Sequence, residues 1–120
     1  MALAFYLPAE WERQESIQLT WPDGHTDWAP YLDAVISTFI ALAKAITSHE
    51  RLIIAAANPS TVDAILNKVL DRDQLSRVKT FACPINDTWA RDHAPLTLVD
   101  TTAGQDSQRF RLLNFRFNGW

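Results

Sequence analysis

At 120 residues the chain is long enough for one hydrophobic core and too short for two. Hydrophobic residues make up 48% and charged residues 21%, with a net charge of −3. That is the balance of a soluble globular domain, and it excludes the basic stripe that a nucleic acid or an anionic membrane would require. A lone cysteine, Cys83, excludes an internal disulfide and makes a reducing, cytoplasmic setting the expected one.

The opening run Met1–Leu7 is apolar but short, lacks a positive n-region and meets Pro8 and Glu10, so it does not read as a signal peptide. Residues 7–12 read as an extended entry segment without a clear period. Ser16–Thr20 alternates polar and apolar residues and predicts a short strand. Pro22-Asp23-Gly24 marks a turn-rich loop over Trp21–Asp27. A helix follows over Trp28–Ser48, with Asp27 or Thr26 as its cap and Pro30 tolerated in the first turn. Leu32, Val35, Ile36, Phe39, Ile40, Ala43 and Ile46 recur at helical spacing and form its apolar face. Ser37, Thr38 and Lys44 interrupt this longest apolar stretch, so no membrane span is expected. His49 reads as a solvated residue at the helix C-terminus.

Leu52–Ala57 is continuously apolar, which suits a strand covered on both faces. Asn58 or Ser60 can cap a second helix whose buried face is Val62, Ile65, Leu66, Val69 and Leu70. Asp71–Gln74 reads as a polar connection, Arg77–Cys83 as a strand, Leu96–Val99 as another and Thr101–Ser107 as a turn. Arg109–Phe117 sets Arg109, Arg111, Asn114 and Arg116 against Phe110, Leu112, Phe115 and Phe117, with Leu113 out of step, and predicts a strand with one polar face. Helices between strands imply an α/β domain with partly parallel pairing, closed by an antiparallel hairpin.

The chemistry concentrates in Asn86–Pro95, where Asp87, Trp89, Arg91, Asp92 and His93 crowd between two predicted strands. Pro84 and Pro95 bracket the loop and stop a helix from running through it. A carboxylate can grip a guanidinium through paired hydrogen bonds, and an indole face can stack on the same planar cation. Asp92 lies three residues after Trp89, so one helical turn would offer both groups to one ligand, with Asp87 as a second carboxylate. The structural alternative is that Asp87 pairs with Arg91 or caps the turn, and that His93 pairs with Asp92. A self-contained structural domain would lock Asp92 in a salt bridge and bury Trp89. His25 and His93 lack metal-ligand spacing, and no metal is expected. Cys83 ends an apolar strand without a neighbouring His–acid pair and reads as a small core residue.

Four motifs in order carry a resemblance: Pro8-Ala9-Glu10-Trp11-Glu12, Leu19-Thr20-Trp21-Pro22, Asn86-Asp87-Thr88-Trp89-Ala90-Arg91-Asp92 and Phe115-Arg116-Phe117-Asn118-Gly119-Trp120. They resemble the agmatine deiminase and bacterial-type peptidylarginine deiminase family and cover nearly the whole chain. The resemblance implies an α/β pentein fold, a propeller of ββαβ-type modules around a central site. Residues 1–120 would form a single domain, the N-terminal part of such a deiminase, holding about two modules. It implies hydrolysis of agmatine to N-carbamoylputrescine and ammonia, or of arginine or peptidylarginine to citrulline, without metal or organic cofactor. Asp92 matches the substrate-gripping carboxylate and Trp89 the aromatic lining of the guanidinium pocket. Asp87 and Arg91 match the same motif as support for the loop or the substrate, and Trp120 a further motif residue near the site. Family members are longer, and their nucleophilic Cys and catalytic His match no position up to Trp120; Cys83 does not fill the gap. A fragment inactive alone is therefore the expectation, binding a small cationic guanidino compound and self-associating through exposed sheet edges. A non-catalytic guanidinium-binding or interaction module is the alternative.

Overall fold

The computed structural model describes residues 4–102 and 109–118. By contact the chain divides into two compact units. The larger is Gln14–Ala90; the smaller joins Met1–Arg13 to Arg91–Trp120.

The larger unit is built on a three-stranded parallel sheet, ordered β2 (Ser16–Thr20), β3 (Arg51–Ala56), β4 (Val78–Ala82). Leu52 lies opposite Ile17 on one side and Val78 on the other. Parallel neighbours need crossovers, and helices α1 (Leu32–Thr47) and α2 (Pro59–Val69) supply them. Successive right-handed crossovers in one direction place both helices on the same face of the sheet. Burial along β3 follows: Leu52, Ile54 and Ala56 are buried, whereas Ile53 and Ala55 are only half-buried. The strand expected to be covered on both faces is thus buried on the face the two helices share and half-buried on the other.

The core gathers Trp21, Ala43, Leu52, Ile54, Ala56, Val62, Leu66 and Leu70. Leu52, Ile54 and Leu66 are fully buried, each contributing roughly 1.5–3 kcal/mol of transfer free energy. Trp21 meets Phe39 edge-on at 5.6 Å between ring centroids. By length and composition Ala29–Thr47 could cross a bilayer, at 19 residues and a mean hydropathy of 1.4. In the fold, however, Ile36, Phe39, Ile40, Ala43 and Ile46 of this stretch belong to or pack against the core cluster.

Local chemistry explains where sequence and structure differ. The first helix opens as a 3-10 turn, Ala29–Tyr31, and neither Asp27 nor Thr26 caps it: the Thr26 hydroxyl donates instead to the Asp23 carbonyl at 2.9 Å. Asn58 holds the cap position of α2, but its Oδ1 accepts from the Ser60 hydroxyl at 2.7 Å rather than from the backbone. The expected polar connection at Asp71–Gln74 is in fact the start of a short helix, α3 (Arg72–Ser76). A reciprocal capping box starts it: the Gln74 N–H donates to Asp71 Oδ1 at 2.8 Å, and the Asp71 N–H donates to Gln74 Oε1 at 3.2 Å.

The smaller unit carries an antiparallel sheet ordered β1 (Phe5–Tyr6), β5 (Leu96–Asp100), β6 (Phe110–Leu113). The expected closing hairpin is present, with Val99 opposite Phe110 and Leu96 opposite Leu113. Its last strand ends at Leu113, where the alternation breaks, instead of reaching Phe117. The entry segment contributes β1, which had no periodic signal and is only two residues long. Arg111 lays its guanidinium over the Phe5 ring, 4.1 Å from the centroid. The turn foreseen at Thr101–Ser107 lies outside the described residues from position 103 on.

Candidate functional site

The loop after β4 is tethered where it begins. The Cys83 N–H donates to the Ala56 carbonyl at 3.0 Å, carrying the β3–β4 pairing one residue past the strand. Cys83 is a half-buried free thiol, less enclosed than the core residue expected of it. Pro84 lacks an N–H and cannot extend the ladder.

Within the larger unit, Asp87 and Thr88 form a compact hydrogen-bonded pair. Asp87 Oδ1 accepts from the Thr88 N–H at 2.7 Å and from the Thr88 hydroxyl at 3.4 Å. The Thr88 hydroxyl in turn accepts from the indole N–H of Trp28 at 2.9 Å. Trp89 follows with 54% of its surface exposed. It was expected to be buried only if the chain were a self-contained structural domain.

The loop then takes a helical turn, α4 (Ala90–His93), of the kind the Trp89–Asp92 spacing called for. The boundary between the two units falls inside it, after Ala90. In the smaller unit Arg91 pairs with Glu10 at 3.5 Å, both side chains being almost fully exposed. The suggested Asp87–Arg91 pair is therefore replaced by partners inside each unit. An exposed pair such as Arg91–Glu10 contributes little stability, about 0–1 kcal/mol. Asp92 is exposed, and among the described residues no hydrogen bond or ion pair engages its carboxylate. His93 is half-buried. Trp120 lies outside the described residues.

The Pro8–Glu12 motif is organised by Glu12. Its Oε2 accepts from the Tyr6 hydroxyl at 3.0 Å and its Oε1 from the Ala9 N–H at 3.2 Å. The Tyr6 phenol is raised above its ordinary pKa, first because its proton is committed to the Glu12 carboxylate and then through desolvation and the nearby negative charge. Trp11 beside it stands 89% exposed.

An exposed carboxylate and an exposed indole on one loop can each meet a planar cation, by paired hydrogen bonds and by stacking. Among the described residues no group of three or more His, Cys, Asp or Glu side chains is gathered as metal ligands. Sequence reasoning singled out Asp87, Trp89, Arg91 and Asp92 but missed the side chains that hold them. Glu10 and Thr88 lay inside quoted motifs without an assigned role. Trp28 beside Asp27 fits a loop tryptophan whose indole N–H a neighbour satisfies, but that neighbour, Thr88, stands 60 residues away and carries no local signal.

The model of the Porphyromonas-type peptidyl-arginine deiminase family matches residues 6–120. Among curated relatives, the agmatine deiminase of Pseudomonas syringae pv. tomato is 26% identical over 116 residues, covering 97% of this chain and 29% of that protein. That of Medicago truncatula is 28% identical over 120 residues, covering 97% of this chain and 30% of the relative. Among solved structures, a C. jejuni agmatine deiminase with substrate bound, in a cysteine-to-serine variant, aligns with a TM-score of 0.78 at 26% identity, over 97% of this chain and 31% of that one. A Porphyromonas gingivalis protein described as an arginine deiminase aligns with a TM-score of 0.75 at 39% identity, again over 97% and 31%. The chain thus spans less than a third of the length of these relatives.

Proposed function

This chain belongs to the Porphyromonas-type peptidyl-arginine deiminase family and has the N-terminal part of its α/β pentein fold, and from that premise we propose that it supplies one wall of a guanidino-group deiminase site. The observation that carries the reading is that Trp89 and Asp92, three residues apart in the motif, are each exposed in their own unit, with the Asp92 carboxylate unengaged among the described residues. A domain using these residues only for stability would spend the carboxylate on an internal partner and cover the indole. Asp92 grips the guanidinium of agmatine, arginine or peptidylarginine, and Trp89 covers its face. Asp87 and Arg91 support the loop, and Trp120 is a further residue of the matching motifs. The parent reaction is hydrolysis of a linear amidine C–N bond, releasing ammonia and leaving a ureido product. Its thiolate nucleophile and acid–base histidine match no position among these 120 residues, so the chain alone binds and does not turn over. A reducing cytoplasm is its setting.

Titration of the isotope-labelled chain with agmatine tests this. The Trp89 indole resonance is expected to shift on binding, and Asp92→Asn to abolish the shift. A chain that ignores agmatine and arginine, or one that releases ammonia unaided, overturns the reading. The non-catalytic binding module is favoured instead if guanidinium binds and a relative's C-terminal two thirds, added in trans, restores no turnover.

The exposed Leu96, Phe110, Leu112 and Phe115 on and beside the β5–β6 hairpin support self-association of the isolated chain.

A further inference from the structure

The turn that follows β2 is fixed residue by residue. The Trp21 N–H donates to the Ala55 carbonyl of the neighbouring strand at 2.8 Å. Asp23 then closes an Asx turn, its Oδ1 accepting from the His25 N–H at 2.7 Å and its carbonyl from the Thr26 N–H at 3.2 Å. The Thr26 carbonyl accepts from the Ala29 N–H at 3.0 Å, and the Trp28 carbonyl from the Tyr31 N–H at 2.8 Å. Trp21 and Thr26 are buried within this segment. It therefore delivers Trp28, half-buried, to one place beside the site loop.

What Trp28 meets there is the Thr88 hydroxyl, between the two candidate residues Asp87 and Trp89. An indole N–H can only donate, so the hydroxyl must accept from it and is left with one proton to give. That proton points to Asp87 Oδ1, which the Thr88 N–H already engages. Both bonds end on the same oxygen. Among the described residues Oδ2 takes no hydrogen bond, so one oxygen of the carboxylate is engaged by Thr88 and the other keeps its acceptor capacity.

We propose that Trp28 is a positioning residue for the candidate site: through the Thr88 hydroxyl its indole N–H holds the loop so that Asp87 presents Oδ2, and Trp89 its ring, to a guanidinium ligand. The ligand part of this inference rests on the function proposed above; the positioning part does not. Without the relay the loop keeps its tethers at Cys83 and at α4 but samples several arrangements between them. The ligand must then select one of them.

The test uses the 120-residue chain with Trp28→Phe, which keeps an aromatic ring and removes the N–H. Thr88→Val removes the hydroxyl at similar volume, and Thr88→Ser restores it. Losing one such bond should weaken agmatine binding roughly threefold to tenfold and speed amide exchange at Thr88 by a similar factor. Trp28→Phe and Thr88→Val are expected to show both effects, and Thr88→Ser neither. A purely structural bond would lower the melting temperature while leaving the agmatine Kd unchanged, which overturns the proposal. If the unaltered chain binds no agmatine, the functional reading fails and amide exchange decides the positioning alone. Faster exchange at Thr88 in both relay-breaking variants then upholds the relay, and unchanged exchange overturns it.

Discussion

Arg77 closes the C-terminus of α1 by donating from Nη1 to the Thr47 carbonyl at 2.7 Å. The last carbonyls of a helix lack intrahelical partners, and a cation there also meets the negative end of the helix dipole. The same guanidinium reaches Asp73 from Nη2 at 2.8 Å, but that pair is largely solvent-exposed. The carbonyl bond is therefore the larger contribution. Arg77→Ala should lower unfolding free energy by about 1–3 kcal/mol, whereas Asp73→Ala should cost under about 0.5 kcal/mol. Urea titrations of the two variants check the order. Equal losses would mean that the exposed pair dominates.

The Tyr6–Glu12 contact makes a pH prediction. The phenol's pKa is raised in the folded chain, so the protonated form is the one the fold favours. Its contribution to stability is complete below the ordinary phenol value of about 10 and disappears as pH rises through the raised folded value. Ultraviolet titration should show one tyrosine ionising above the normal range, and Glu12→Gln should bring it down. A Tyr6 that titrates identically in both proteins would remove the contact from consideration.

Trp89 and Asp92 should separate binding from stability. Both are exposed, so Trp89→Ala and Asp92→Asn are expected to change unfolding free energy by no more than about 0.5 kcal/mol. Each should nonetheless remove agmatine-induced chemical-shift changes. Substantial destabilisation by either would show that its role is in packing.

The hairpin surface gives a hydrodynamic prediction. Leu112 is 63% and Phe115 65% exposed, in the same unit as Leu96 and Phe110. Sedimentation velocity should reveal concentration-dependent association, and Leu112→Glu should shift it towards monomer. A chain that stays monomeric at high concentration removes this expectation.

Much of the larger unit was legible because its signals are local. Helical spacing marked the α1 and α2 faces, and the apolar run marked β3. The capping box at Asp71 and Gln74 is also written in the sequence, as an acid three residues before a glutamine, inside a stretch that reads by composition as a polar connection. Other features depended on distance. β1 has two residues and exists only because Asp100 and Val99 pair with it. The candidate site divided in the same way: Asp87, Trp89 and Asp92 declared themselves through residue type and spacing. Trp28, which meets Thr88 beside them, and Glu10, which pairs with Arg91, are brought to the motif only by the fold.

The two units differ in how they lie along the chain. Gln14–Ala90 is continuous, so a ribosome finishes it as one block, and units of this kind fold during synthesis. The smaller unit is split, and its first strand waits for a partner: Thr101 donates both its N–H and its hydroxyl to the carbonyl of Ala4, a residue 97 positions earlier. During translation Phe5 and Tyr6 emerge about 90 residues before Val99 and Asp100, the residues they pair with. Synthesis stalled between Ala90 and Leu96 would thus leave a finished parallel sheet beside an unpaired strand at Phe5–Tyr6.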